Sequence, residues 1–105
     1  MNDKYILKGH RPVIEKDLLK WGRWFETANR HVGDNAIGEV RVSTVFLGLD
    51  HSFSFGRNKP ILFETMIFGG RYNDFQKRYA TWEEAEVGHR KAVALVKKSL
   101  KEKSK

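Results

Sequence analysis

Asp50, His51 and Glu64 are the side chains whose types and placement best fit acid–base chemistry. Asp50 and His51 stand at the end of one apolar run, and Glu64 stands near the start of the next. If those runs pair as a hairpin, two carboxylates and an imidazole come close together. That is the equipment of a general acid–base pair or of an incomplete metal site, with His89 approaching from a C-terminal helix as a further ligand. The same residues have a structural reading. A carboxylate or imidazole at a hairpin end satisfies backbone groups, and a histidine on the apolar face of a helix is more often a bonded core residue than a ligand. Two-histidine phosphoesterase chemistry needs two His-x-Ser/Thr strands. Here His51 is followed directly by Ser52, so that chemistry fails. His10 and His31 fall in expected loops. Gly33 and Gly38 lack the Gly-Lys-Ser/Thr context of a phosphate loop, and no serine has a nucleophile-elbow context. No catalytic residue, metal or cofactor is assigned, and Asp50, His51 and Glu64 stand as candidates only.

The chain that must position them is 105 residues long, enough for one domain, and contains no cysteine. Disulfides, thiolate metal sites and a cysteine nucleophile are therefore excluded, and the composition fits a reducing cytosol. No apolar run approaches a membrane span, and residues 1–10 lack a signal-peptide core. The net charge is +7. Arg90 to Lys105 holds seven basic residues against Glu102 alone, a net +6, whereas the first 89 residues hold 13 basic and 12 acidic residues. The electrostatic question is therefore confined to one helix.

Two helices are legible. Over about 17–31, Leu18, Trp21, Phe25, Ala28 and Val32 share one face, with Trp24 beside them and Asp17 placed to cap the start. Gly22 inside this pattern points to a neighbour packed close. Gly33-Asp34-Asn35 reads as the turn that ends it. Over about 82–100, Thr81 and Glu84 form a capping box, and Trp82, Ala85, His89, Ala92, Val93, Val96 and Leu100 form an apolar face. Between them, Glu39–Phe53 and Ile61–Phe68 read as strands, joined by a loop at 56–60 and followed by a turn at Gly69-Gly70. A trial register sets Leu47 opposite Met66. Both faces are then apolar near the middle, so both want shelter: helices on one, the Tyr5-Ile6-Leu7 strand or a second copy on the other.

The runs Val42–His51, Leu62–Met66, Phe68-Gly69-Gly70, Arg78–Glu86 and Gly88-His89, together with Trp21–Trp24 and Asn29-Arg30, resemble a group of small uncharacterised proteins from tailed phages and prophages. The resemblance covers about Tyr5 to Val96 and leaves out the Lys-rich tail. It implies a phage gene expressed in a bacterial host cytoplasm and assigns no activity.

The expected fold is α+β: an antiparallel hairpin extended by an N-terminal strand and packed against two helices, with residues 1–96 as one domain and 97–105 as a basic helix end and tail. The expected function is non-enzymatic. It is that of a small accessory protein, of host-takeover or anti-defence type, that binds a host or phage macromolecule, with a homodimer as one form. Trp24, Phe46, Phe63 and Ile67 are the expected contact residues, and a protein partner is preferred to nucleic acid. The alternatives are nucleic-acid binding through Arg90, Lys97, Lys98 and Lys101, and a small hydrolase or nucleotide binder using Asp50, His51 and Glu64.

Overall fold

The computed structural model describes residues 3–52 and 59–103. The fold is α+β, a four-stranded antiparallel sheet covered on one face by a long helix, with a separate hairpin and a short helix at one end.

The hairpin comes first in the chain. β1 (Tyr5–Lys8) pairs with β2 (Arg11–Ile14) across a two-residue turn at Gly9-His10. The expected N-terminal strand is thus real, but its ladder partner is β2. At its start, Tyr5 N–H donates to Gly48 O at 2.8 Å and Lys4 bridges Leu49, and Tyr5 and Leu7 pack against the Phe46–Phe63 end of the core. Next, α1 (Leu18–Thr27) starts where Asp17 Oδ1 accepts from the N–H groups of Leu19 and Lys20, as its capping position predicts. No side chain packs against Gly22 within 4 Å, so the close neighbour expected there is absent. The close approach is at Gly48 instead. A Cβ there would meet the Phe25 ring at 3.0 Å, and φ is +79°, so both space and backbone demand glycine.

α1 stops four residues short of the expected end because the chain turns into β3 (His31–Ile37). Gly33-Asp34-Asn35, read above as a turn, lies inside this strand, and His31 begins it. Its register on β4 (Val40–Phe46) shifts at His31/Gly33, a bulge that turn-type residues accommodate. β4 pairs with β5 (Phe63–Phe68), and β5 pairs with β6 (Gln76–Tyr79), giving the order β3-β4-β5-β6.

The β4–β5 pairing sets Val42 opposite Ile67, Thr44 opposite Thr65 and Phe46 opposite Phe63. That is four residues from the trial register. An even slip keeps every side chain on its face, so the two faces were grouped correctly although the partners were not. Phe53 and residues 56–58 of the expected strand end and loop lie outside the described residues.

α2 (Trp82–Lys103) lies along one face of the sheet. Val40, Val42 and Ile67 pack there against Ala92 and Val96. Phe46, Leu62, Phe63 and Tyr79 pack against Ala85, with Trp24 and Trp82 at the edge. The helix residues are those the heptad-like spacing selects, and 97–103 continue the helix unbroken.

The opposite face overturns an expectation. Arg41 donates to both oxygens of Asp34 at 2.9 Å, and Arg78 and Gln76 donate to Glu64. Arg41, Asp34, Gln76 and Arg78 are exposed, and Phe68 is an exposed large apolar side chain at one end of this face. Ion pairs flank this side, and the half-buried Val45 and Met66 with the exposed Phe68 leave it mixed rather than uniformly apolar.

Candidate functional site

The three acid–base candidates are engaged separately. Asp50 Oδ1 accepts from the backbone N–H groups of Ser52 and Ile61, each at 2.9 Å, so the carboxylate ties the neck of the loop between the two strands. Burial raises the Asp50 pKa, but those N–H bonds, together with the Ser52 side chain and His51, outweigh it and hold the carboxyl below its ordinary value. His51 Nδ1 lies 2.7 Å from Leu49 O, and its own N–H donates to Ile61 O. A carbonyl can only accept, so Nδ1 carries a proton. Glu64 faces the other way in function. Its Oε2 accepts from Arg78 Nε at 2.9 Å and Gln76 Nε2 at 2.5 Å, joining β5 to β6. Among the described residues no three His, Asp or Glu side chains converge closely enough to hold a metal.

His89 is buried and belongs to a different constellation. Its Nε2 is 2.7 Å from Asn35 Oδ1 on β3, and its Nδ1 is 2.7 Å from Thr44 Oγ1 on β4. Thr44 Oγ1 is 2.5 Å from Thr65 Oγ1 on β5, and Tyr79 OH on β6 donates to Thr65 Oγ1 at 3.1 Å. A single chain of hydrogen bonds therefore runs from Tyr79 on β6 through β5 and β4 to His89 on α2, and ends at Asn35 on β3. Its polarity follows from the inventory of donors. The Tyr79 proton goes to Thr65, the Thr65 proton to Thr44, and the Thr44 proton to an unprotonated Nδ1. Nε2–H then donates to the Asn35 carbonyl. Burial depresses the His89 pKa, and nearby Asp34 opposes it more weakly, so the neutral imidazole is the favoured form.

Two glycines make room for His89 and Tyr79 in this chain. A Cβ at Gly33 would stand 2.5 Å from the His89 ring, and one at Gly88 would overlap the Tyr79 hydroxyl. Asn35, Thr44, Thr65, Tyr79 and both glycines were missed by sequence reasoning. The available signal was Thr44, Thr65 and His89 all falling at core-facing positions, where polar groups must satisfy one another.

The expected contact residues are not surface residues. Phe46, Phe63 and Ile67 have no accessible area, and Trp24 is half-buried edge-on against Phe46 at 5.7 Å between centroids. They are core because α2 closes over that face, with Trp24 of α1 at its edge. The hairpin instead presents His10, which stacks on Trp82 at 3.9 Å, 5° from parallel. Trp21 Nε1 donates to Tyr5 O at 3.0 Å and fastens α1 to the hairpin.

The basic residues are where the helix pattern puts them. Arg90, Lys91, Lys97, Lys98 and Lys101 are all exposed. Arg90, Lys97 and Lys101 fall within about 40° of one another around the axis, and Lys91 and Lys98 form a second row about 90° away. From Arg90 to Lys101 the face runs about 16 Å. Glu102, the one acidic residue beyond Glu86, pairs with Arg71 at 3.3 Å. Beside this face, a cleft of about 470 Å³ lies between β6 and α2, lined among others by Lys77, Tyr79, Val87, Gly88 and Lys91.

Comparison with protein-family models, with curated proteins and with solved structures finds no match to this chain. Among the described residues no helix is long and apolar enough to cross a membrane.

Proposed function

We propose that the protein is a non-enzymatic binding module, a small phage accessory protein that engages an acidic protein partner through the basic outer face of α2. One observation carries this reading. Five cationic side chains stand exposed on one arc of a helix that is anchored along its other side to the sheet. Such a rigid, single-sign surface steers encounter with a negatively charged partner and penalises a positive one. The engagement of Asp50 and Glu64 by neighbouring donors favours binding over acid–base chemistry.

Nucleic acid is the second reading, favoured by the two-row spacing of the cations along about 16 Å of helix. Charge reversal at Lys97, Lys98 and Lys101 tests both. For an acidic protein partner, the variant loses the complex captured by the wild-type chain from infected-cell lysate but shows no change with mixed-sequence DNA or RNA. For nucleic acid, wild-type binding weakens steeply with salt, by a slope of about one for each phosphate contact, and the variant loses it. Retention of every complex by the variant rejects this face as the binding surface.

A further inference from the structure

The groove beside β6 carries more information than its charge. β6 is an edge strand, bonded to β5 on one side only. The Ile67 N–H bond to Phe75 O sets the alternation of the ladder, which directs the main-chain groups of Gln76 and Arg78 away from β5. Beside this open edge, Lys77, Arg78 and Tyr79 line the groove that α2 walls on its other side. A second cleft, of about 210 Å³, shares Lys77, Tyr79, Gly88 and Lys91 with the first and adds Phe75 and Leu95, so the groove runs on along the strand. Val87, 42% exposed, stands in its wall. Lys77 and Lys91 contribute positive charge from the two sides, while the Arg78 guanidinium is held by Glu64. Glu83 and Glu84 stand at the helix N-terminal end, where Glu84 is held by Thr81 in the capping box.

An edge strand beside a helix is the geometry that receives an extended peptide as an added strand. The sequence Gln76-Lys77-Arg78-Tyr79 also says which peptide. Its exposed Lys77 disfavours a second copy of the same edge, a usual protection against self-pairing, and with Lys91 across the groove complements an acidic segment. We infer that the groove between β6 and α2 docks an extended acidic peptide segment of a partner protein by strand addition to β6, with an apolar side chain of that segment against Val87. The inference rests on the reading of the protein as a binder of an acidic protein and names the part of the partner that is held.

The test uses the full chain and a nine-residue peptide of alternating Glu and Val. Backbone amide shifts are followed by NMR, and affinity by fluorescence anisotropy. The expected result is movement of the amides of 76–79 and 87–91. Binding should weaken about ten-fold when alternate peptide amides are N-methylated, and by a similar factor in Lys77→Glu/Lys91→Glu. Both lysines are exposed, and thermal unfolding checks that this variant folds. The Lys97→Glu/Lys98→Glu/Lys101→Glu variant should keep peptide binding, because those residues lie outside the groove. Shifts confined to the outer face of α2 overturn the groove while leaving the basic face as the binding surface. Equal affinity for the N-methylated peptide overturns strand addition. Tighter binding of a thymidine oligonucleotide to the same amides overturns the peptide in favour of nucleic acid, and absence of any peptide binding overturns the inference outright.

Discussion

Thr44 on β4 stands directly opposite Thr65 on β5, and their hydroxyl oxygens are 2.5 Å apart at the centre of the hydrogen-bond chain between Tyr79 and His89. Neither side chain has measurable exposure. A buried hydroxyl that loses its partner keeps the full cost of having left water. Thr44→Val removes the donor to His89 and the acceptor for Thr65 at once, so it should destabilise the fold by about 1–3 kcal/mol in denaturant unfolding. Because the two hydroxyls act in one network, Thr44→Val/Thr65→Val should cost clearly less than the sum of the single variants. Simple additivity would show that the chain does not act as a unit.

The polarity of that chain gives a pH dependence with a definite sign. Burial holds the His89 pKa below its ordinary value, so the unfolded chain takes up the proton at a higher pH than the folded one. The stabilisation from neutral His89 is complete above about pH 6.5, the unfolded value, and is lost as pH falls from there toward the folded-state pKa. Asp34, whose own pKa is lowered mainly by its bond to Arg41, remains charged through this window and moderates the effect. Thermal midpoints measured from about pH 7.5 to 5.5 should fall for the wild type and flatten in His89→Gln. A wild-type midpoint that rises on acidification would contradict the lowered pKa of His89.

Three glycines that look alike in the sequence should behave differently. Gly33→Ala drives a methyl group into the His89 ring, and overpacking of this kind costs about 1–3 kcal/mol. Gly88→Ala displaces the Tyr79 hydroxyl and should fall in the same range of about 1–3 kcal/mol. Gly22→Ala meets nothing within 4 Å in the middle of α1 and should instead stabilise by about 0.5–1 kcal/mol, the helix-propensity difference. Equilibrium unfolding of the three variants side by side provides the comparison.

Glu64 separates acid–base chemistry from scaffolding. Its carboxylate bonds Arg78 and Gln76, and Arg78 is about one-third exposed, so solvent screens the pair. Glu64→Gln should lower stability by about 1 kcal/mol and change nothing else. Screening small phosphorylated metabolites by thermal shift tests the alternative. A ligand that stabilises the wild type but not Glu64→Gln would restore Asp50, His51 and Glu64 as a site.

The helices were legible because each is amphipathic and carries its own start signal: Asp17 for α1, and Thr81 with Glu84 for α2. Strand faces were legible as well, since alternation survives any even error in register. β3 was not. Gly33 is there to admit the His89 ring, and Asp34 and Asn35 are there to bond Arg41 and His89. Residues chosen for partners elsewhere in the fold read locally as a turn. β6 escaped for a related reason, since Gln76, Lys77 and Arg78 are polar at an edge and lack the alternation that marks a half-buried strand. The exposed basic arc was read correctly from helical spacing alone, whereas Phe46, Phe63 and Ile67 were mistaken for contact surface because the sequence does not say which side of a ribbon its own helix will occupy.

The covering helix follows all four strands in chain order. While the polypeptide is being synthesised, β3 to β6 can leave the ribosome complete and still have Val42, Phe46, Phe63 and Ile67 open to solvent. Thr44 and Thr65 wait equally long for their histidine. The sheet therefore passes through an aggregation-prone interval that closes only when the segment after Thr81 emerges. Ribosome stalling before that point should leave a nascent product that chaperones hold and proteases cut.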